Sequence, residues 1–240
     1  GLHDYSYVGN LEPQVIDRSV SPNDSMRRKV NLPVIKDEKD VKQSELLINT
    51  AILELKRCGG GPVHINMPWA GPDFEFSVHE LPRVRVINRY TIDDILPELK
   101  VARIAVVCGS HGEWNERQTA AIDNFCARYD AVVFCDHGSK YYGKYRVQAS
   151  LMAYQKLSYD VMKDIDVVIH IGEEVGDDNF SKKIRAAKQT WRVSPDGEVR
   201  DTFKNLSKVF DMQEHQFFEK YATELGAAKD TYYNECITLY

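Results

Sequence analysis

RIAVVCGSHG, residues 103–112, carries apolar side chains without a break from Ile104 to Cys108 and then stops in a glycine-bounded polar loop. A strand that is apolar on both faces has no solvent side, so it belongs inside a sheet covered twice. The period then changes: positions 118, 122, 125, 126 and 129 keep the spacing of a helix. A second apolar run follows at Ala131–Cys135, then the polar stretch DHGSKYYGKYR, a helix-like stretch at 147–156 and a third run inside Asp166–Gly172. Further helices are expected at 178–188 and 213–225, with strands at 190–193 and 207–211. Apolar strands alternating with helices predict a parallel sheet buried on both faces. Residues 101–225 are therefore expected to form an α/β, Rossmann-like doubly wound domain.

Upstream, SELLINTAILELKR (44–57) places apolar residues at 47, 48, 51, 52 and 55, an amphipathic helical pattern with Ser44 as its expected N-cap. GGGPVHINMPW (59–69) then reads as a sharp glycine turn, a strand at 62–66, and a stop at Pro68. His64 in that strand is expected to be a hydrogen-bonded core residue. Residues 73–100 are rich in proline and charge and read as a linker. The expected organisation is thus a partial α/β domain over 1–72, the linker, the Rossmann-like domain over 101–225, and a tail over 226–240.

The net charge of −5 argues against a nucleic-acid surface, which needs clustered Lys and Arg. No apolar run reaches the roughly 18 residues of a membrane helix. The five cysteines show neither C-x-x-C nor metal-ligand spacing with histidine, which predicts a reducing, cytoplasmic compartment. Cys108, Cys126 and Cys135 fall in apolar patterns and are expected to pack as small hydrophobes. The chain opens Gly-Leu-His-Asp without Met or leader, as expected of a processed tag remnant or of a chain that begins inside a longer protein.

Gly109, Ser110, His111 and Gly112 lie between strand and helix, where free amides can hold an anion. The dinucleotide fingerprint G-x-G-x-x-G and the phosphate loop G-x-x-x-x-G-K-[ST] are both absent, so a structural turn is the competing reading. Asp136, His137 and Ser139 have the residue types of a hydrolase triad, yet adjacent loop residues rarely converge. His111, Glu113 and His137 can be written as a metal site, against the plainer reading of solvent-facing loops. Lys140 to Arg146, KYYGKYR, packs three cations and three tyrosines into seven residues. It reads as a clamp on phosphate or carboxylate through Lys140 and Arg146, or as a contact loop between domains.

The motif G-G-P-V-H-I-N-x-P at 60–68 resembles the segment that ends the pyrimidine-binding domain of thiamine-diphosphate-dependent carboligases and decarboxylases. It is most similar to the acetolactate-synthase type and the menaquinone-pathway SEPHCHC synthase type, and leans toward the latter. Gln14-Val-Ile-Asp17-Arg18 resembles the family's Q-T-I-D-Q, with Arg18 departing from its second Gln. Lys29–Pro33 and the helix at 44–57 sit where that domain's closing elements belong. Residues 84–225 resemble the central domain, a six-stranded parallel sheet that carries FAD in some members and nothing in many.

The resemblance implies substrate-side positions for Gln14, Asp17 and Arg18, and structural roles for Gly59–Pro62. It also implies what is missing. The G-D-G motif for Mg²⁺ and the diphosphate has only Gly176-Asp-Asp and Pro195-Asp-Gly as poor counterparts. The glutamate that protonates the aminopyrimidine would precede Gly1. The chain is accordingly expected to be a non-catalytic module of a 2-oxo acid carboligase or decarboxylase, without a catalytic or metal-binding residue of its own. Thiamine diphosphate and Mg²⁺ would bind in the parent enzyme, with FAD as an alternative ligand of the central sheet. The expected partners are the remaining domains of the same chain and, at full length, further copies of it, with no nucleic acid or membrane. The alternative is a stand-alone Rossmann-like domain that binds a nucleotide or anion.

Overall fold

A computed structural model describes residues 8–10, 25–68, 79–155, 158–223 and 229–239, with residues 158 and 159 described by backbone only. Gln14, Asp17 and Arg18 lie outside the described residues. The chain divides into two compact units, residues 1–86 and 87–240.

In the first unit, β1 (Arg28–Asn31) pairs in parallel with β2 (Val63–Asn66), with Val30 opposite Ile65. Between them runs α1 (Glu38–Glu54). The helix starts six residues before the expected Ser44. Its N-cap is Asp37, whose carboxylate accepts the Asp40 amide, and Ser44 lies buried inside it. Its first two turns are charged, so apolar periodicity had nothing to register there; capping chemistry sets the start. The unit's core joins Val30, Leu32 and Ala51 to Leu47, Ile48 and Val63. Ile52 and Leu55, expected on the packed face, are exposed instead. His64 is half-buried on β2.

The glycine run serves the turn from α1 into β2. A single 3₁₀ turn covers Arg57–Gly59, and Cys58, Gly59 and Gly60 all have positive φ. Gly60, at φ 78° and ψ 179°, occupies a region that only glycine visits cheaply. A Cβ there would also stand 2.6 Å from the Leu55 carbonyl oxygen. Arg27 closes the turn from outside, donating through Nη2 to Cys58 O at 2.6 Å and through Nε to Gly60 O at 3.1 Å. Gly60→Ala is expected to lower the stability of this unit by about 1–3 kcal/mol, read as a shifted urea midpoint with unchanged slope.

The second unit is a seven-stranded, all-parallel sheet in the order β3-β9-β8-β7-β4-β5-β6. Its strands are β3 (Asn88–Thr91), β4 (Ile104–Cys108), β5 (Val132–Cys135), β6 (Arg146–Gln148), β7 (Val167–Ile171), β8 (Gln189–Ser194) and β9 (Leu206–Asp211). One face carries α2 (Glu116–Tyr129) and α6 (Glu214–Tyr221). The other carries α3 (Ala149–Tyr154), α4 (Ser158–Met162), α5 (Asp178–Ile184) and α7 (Thr231–Ile237). β4 shows why its sequence is unbroken: Ile104, Val106 and Cys108 enter one core, Ala105 and Val107 the other. The fold is the expected Rossmann-like doubly wound α/β sheet.

Three elements depart from the sequence expectation. β3 lies in the segment read as linker and supplies a seventh strand, where the family resemblance implied six; it pairs with β9, and Tyr90 stacks on Phe210 at 5.3 Å. The stretch read as a helix from 147 begins with β6 and continues as the short α3. Residues 231–237, read as tail, form α7, which buries Tyr232 and Cys236 in the second core and takes the Tyr232 amide onto Asp130 at 3.0 Å. Short polar edge strands and a one-sided terminal helix carry little apolar periodicity, so tertiary contact defines them. Cys108, Cys126 and Cys135 are buried as expected, as is Cys236, and Cys58 is exposed.

Candidate functional site

From β4 the sheet grows through β5 to β6 in one direction and through β7, β8 and β9 in the other. The loops after β4 and β7 therefore part at the centre of the sheet, the switch point where open α/β sheets form ligand crevices. Gly109–Gly112 occupies that position.

The amides of Gly109, Ser110 and His111 point into the protein. Gly109 donates to Ile171 O at 3.0 Å, Ser110 to Glu174 O at 2.8 Å and His111 to Gly138 O at 3.0 Å. Glu173 donates back to Ser110 O at 2.8 Å. A Cβ on Gly172 would stand 2.8 Å from that same carbonyl oxygen, so the two loops meet main chain to main chain. Three donors that an anion would need thus already have acceptors. Those amides have nothing to offer the diphosphate of FAD.

His111 stacks on Trp114 at 3.8 Å, and the indole donates to Ser139 O at 2.7 Å. The imidazole's Nδ1 is 3.0 Å from Gly112 O and its Nε2 3.7 Å from the buried Glu214 carboxylate. Burial pulls its pKa down, but Glu214 and the Gly112 carbonyl outweigh burial together and hold it above the usual histidine range.

The other constellations do not assemble. Asp136 accepts the Gly176 and Gly138 amides, His137 faces Ser150 Oγ at 3.4 Å, and Ser139 is buried. Glu113 pairs with Lys140 at 2.9 Å rather than joining His111 and His137. Among the described residues, no three His, Cys, Asp or Glu side chains gather as a metal site.

KYYGKYR is a strap within the second unit. Tyr141 is buried and donates to Asp123 at 2.6 Å, and the Lys144 amide bonds the same carboxylate at 3.2 Å. Tyr145 donates to Asp230 at 2.6 Å and Lys144 Nζ joins it at 2.7 Å, which ties the strap to the start of α7. Gly143 lies so close to the Tyr141 phenol that a Cβ would collide with it. Arg146 covers the Tyr142 ring at 5.0 Å while Lys140 pairs with Glu113, so each has a partner of its own. Asp123→Ala would leave a buried phenol without an acceptor and is expected to cost about 1–3 kcal/mol. Combined with Tyr141→Phe it should cost less than the sum of the two single changes, measured by urea unfolding.

Sequence reading passed over the most buried charge among the described residues. Arg192 on β8 is 1 % exposed, donating to Gly172 O at 3.2 Å and Asp196 at 3.1 Å, with Glu173 at 3.5 Å. Its neighbour in register on β7 is His170, equally buried, packed on Phe203 and 3.2 Å from Glu173 O. Burial first, and the Arg192 charge second, lower the His170 pKa to about 4. The signal was present for His170, the one ionisable residue within the apolar strand VVIHI; QTWRVS is mostly polar, and Arg192 is buried there by tertiary packing. The pair ties the strand ends to the loops after β7 and β8.

The same loops contain the poor counterparts of G-D-G. Asp177 caps α5 by accepting the Phe180 amide at 2.8 Å. Asp196 is bound by Arg192, by Arg200 at 3.2 Å and by the Glu198 amide at 2.9 Å. Asp177 serves as a helix cap and Asp196 as an ion-pair partner, neither in a Gly-Asp-Gly turn, and among the described residues no three His, Cys, Asp or Glu side chains gather to hold Mg²⁺.

No protein-family model matches the chain. It is similar to 2-succinyl-5-enolpyruvyl-6-hydroxy-3-cyclohexene-1-carboxylate synthases. The Bacteroides fragilis protein is 28 % identical over 238 residues, 90 % of this chain and 41 % of the relative. For Bacteroides thetaiotaomicron the identity is 29 % with the same coverage. The Phocaeicola vulgatus protein is 27 % identical over 98 % of this chain and 45 % of its own length. The chain thus spans less than half the length of the curated relatives it matches. The resemblance read from residues 60–68, to thiamine-diphosphate-dependent enzymes of the menaquinone-pathway branch, agrees with these relatives.

Proposed function

We propose that this chain, a homologue of thiamine-diphosphate-dependent synthases across both of its units, is a non-catalytic module of such an enzyme. The module comprises the end of the pyrimidine-binding domain and the whole central domain. The parent enzyme joins a unit derived from a 2-oxo acid to an acceptor, 2-oxoglutarate and isochorismate being the pair that the relatives' product name supports. The observation that carries this reading is the similarity over nine-tenths of the chain. The occupied amides at the switch point and the paired Asp196 support a structural role for the central sheet.

The same reading assigns thiamine diphosphate and Mg²⁺ to segments of the parent enzyme beyond these residues. It also pairs the parent's subunits and locates the enzyme in the cytoplasm. Among the described residues, no helix is long and apolar enough to cross a membrane.

The test is calorimetric titration of the chain with thiamine diphosphate plus Mg²⁺, with FAD and with NAD, beside a 2-oxoglutarate decarboxylation assay on chain and parent polypeptide. Heats at the level of dilution, with turnover by the parent alone, are expected. Saturable binding of FAD or a nucleotide would establish the stand-alone binding domain instead. Turnover by the chain alone would refute a non-catalytic module.

A further inference from the structure

One side chain, His111, reaches from the loop after β4 to the first turn of α6. Both nitrogens of its imidazole face oxygen, Nδ1 at 3.0 Å from Gly112 O and Nε2 at 3.7 Å from Glu214 Oε1. A neutral imidazole has a single N–H, so its other lone pair would point at an oxygen; the imidazolium donates at both ends. The ring also lies flat on Trp114, with centroids 3.8 Å apart and 16° between the planes, and the face of an indole favours a cation.

Glu214 depends on the same charge. Its side chain is 7 % exposed, and among the described residues His111 is its one ion-pair partner. A buried carboxylate stripped of its cation is costly. The other charged groups around the ring are engaged elsewhere: Glu113 with Lys140, Glu173 with Arg192 and Arg200, Asp136 with the Gly138 and Gly176 amides, and His215 with Glu219. Cys108, close enough to feel Glu214, stays a neutral thiol because burial pushes its pKa up. Gly112 has open space beside it, so its peptide can turn once Nδ1 no longer donates to it.

We propose that His111 is a protonation-dependent clasp: with both N–H groups in place it fastens the switch-point loop to α6, and on losing its proton it releases the loop from residue 111 to Trp114. The inference rests on residues 111–114 and 214 and stands whether or not the thiamine-diphosphate reading holds. Burial lowers the His111 pKa, yet Glu214 and the Gly112 carbonyl together raise it above the usual histidine value. The clasp is therefore closed at lower pH and opens as pH climbs through the raised value.

The test is nuclear magnetic resonance of the whole chain with labelled histidine from about pH 5.5 to 8.5, beside hydrogen exchange of the His111 amide. The ring should titrate above about 6.5. The protection factor of the amide, which donates to Gly138 O, should fall about tenfold or more across the same midpoint. Glu214→Gln should lower the midpoint by about one pH unit or more. His111→Gln, which cannot titrate, should keep the protection at residue 111 constant.

A wild-type ring that titrates at or below about 6.5, or protection that does not change across its midpoint, overturns the clasp without recourse to any variant. A pH dependence that survives in His111→Gln overturns it too, as does an unchanged midpoint in Glu214→Gln, which would remove α6 as the anchor.

Discussion

Replacing Arg192 by methionine is expected to destabilise the second unit by about 2–4 kcal/mol, a large share of a domain's stability. The guanidinium holds the Gly172 carbonyl from the loop after β7 and Asp196 from the turn after β8. Removing one member of a buried ion pair usually costs about 3–5 kcal/mol, because it strands the other charge away from water. Here the cost is smaller. Glu173 is 56 % exposed and can hydrate, and Arg200 remains 3.2 Å from Asp196. Arg192→Lys keeps the charge but loses the planar fork, so it should recover only part of the loss. Urea unfolding of both variants, followed by the fluorescence of the buried Trp191, makes the comparison.

The second large effect is acid instability of the same unit. His170 stays neutral in the folded protein down to about pH 4, because burial and then the Arg192 charge oppose its protonation. In the unfolded chain it takes a proton near pH 6.5. The unfolded state therefore binds more protons between these values, and stability falls as pH drops through that window. The total is about 3 kcal/mol at 1.36 kcal/mol per unit, and none of it is lost above roughly pH 7. His111 acts in the opposite sense. Its pKa is raised in the folded state, so the stability it contributes is present at low pH and lost as pH rises through the folded value. The quantity to measure is thus the difference between the wild-type chain and His170→Leu, as urea midpoints from about pH 7.5 to 4.5. The variant should lose most of the slope. In Arg192→Met the slope should shrink as well, since part of the His170 shift comes from that cation. Equal slopes in all three proteins would show that His170 is not the responsible group.

Both effects concern residues that were visible in the sequence but had no assigned partner there. A histidine within VVIHI announces a buried polar group, while an arginine within the mostly polar QTWRVS does not. Only the register His170 opposite Arg192 makes them neighbours, and only the loops after β7 and β8 supply the carbonyl and carboxylates they need. The Gly109–Gly112 loop teaches the same lesson. Its place after β4 was legible, while the acceptors of its amides come from residues 138, 171 and 174. KYYGKYR reads in the sequence as a clamp or an interface, while the acceptors of Tyr141 and Tyr145, Asp123 and Asp230, come from elsewhere in the chain.

The sequence by itself determined the fold class. Apolar side chains on every position of β4 and β5, and on every position of β7 but His170, can only be buried on both faces, and burial pattern is a property of the local chain. Capping and glycine chemistry are nearly as local: the Gly59–Gly61 turn was legible as a turn, although its closure by Arg27, some thirty residues earlier, was not. The tertiary structure alone decided that β3 and β6 are strands, that α7 belongs to the core, and which donor meets which acceptor at the switch point. A three- or four-residue edge strand becomes a strand through the neighbour that pairs with it. A hydrogen bond or ion pair is likewise fixed by the distance between two groups, and for groups far apart in sequence that distance exists only once the chain has folded.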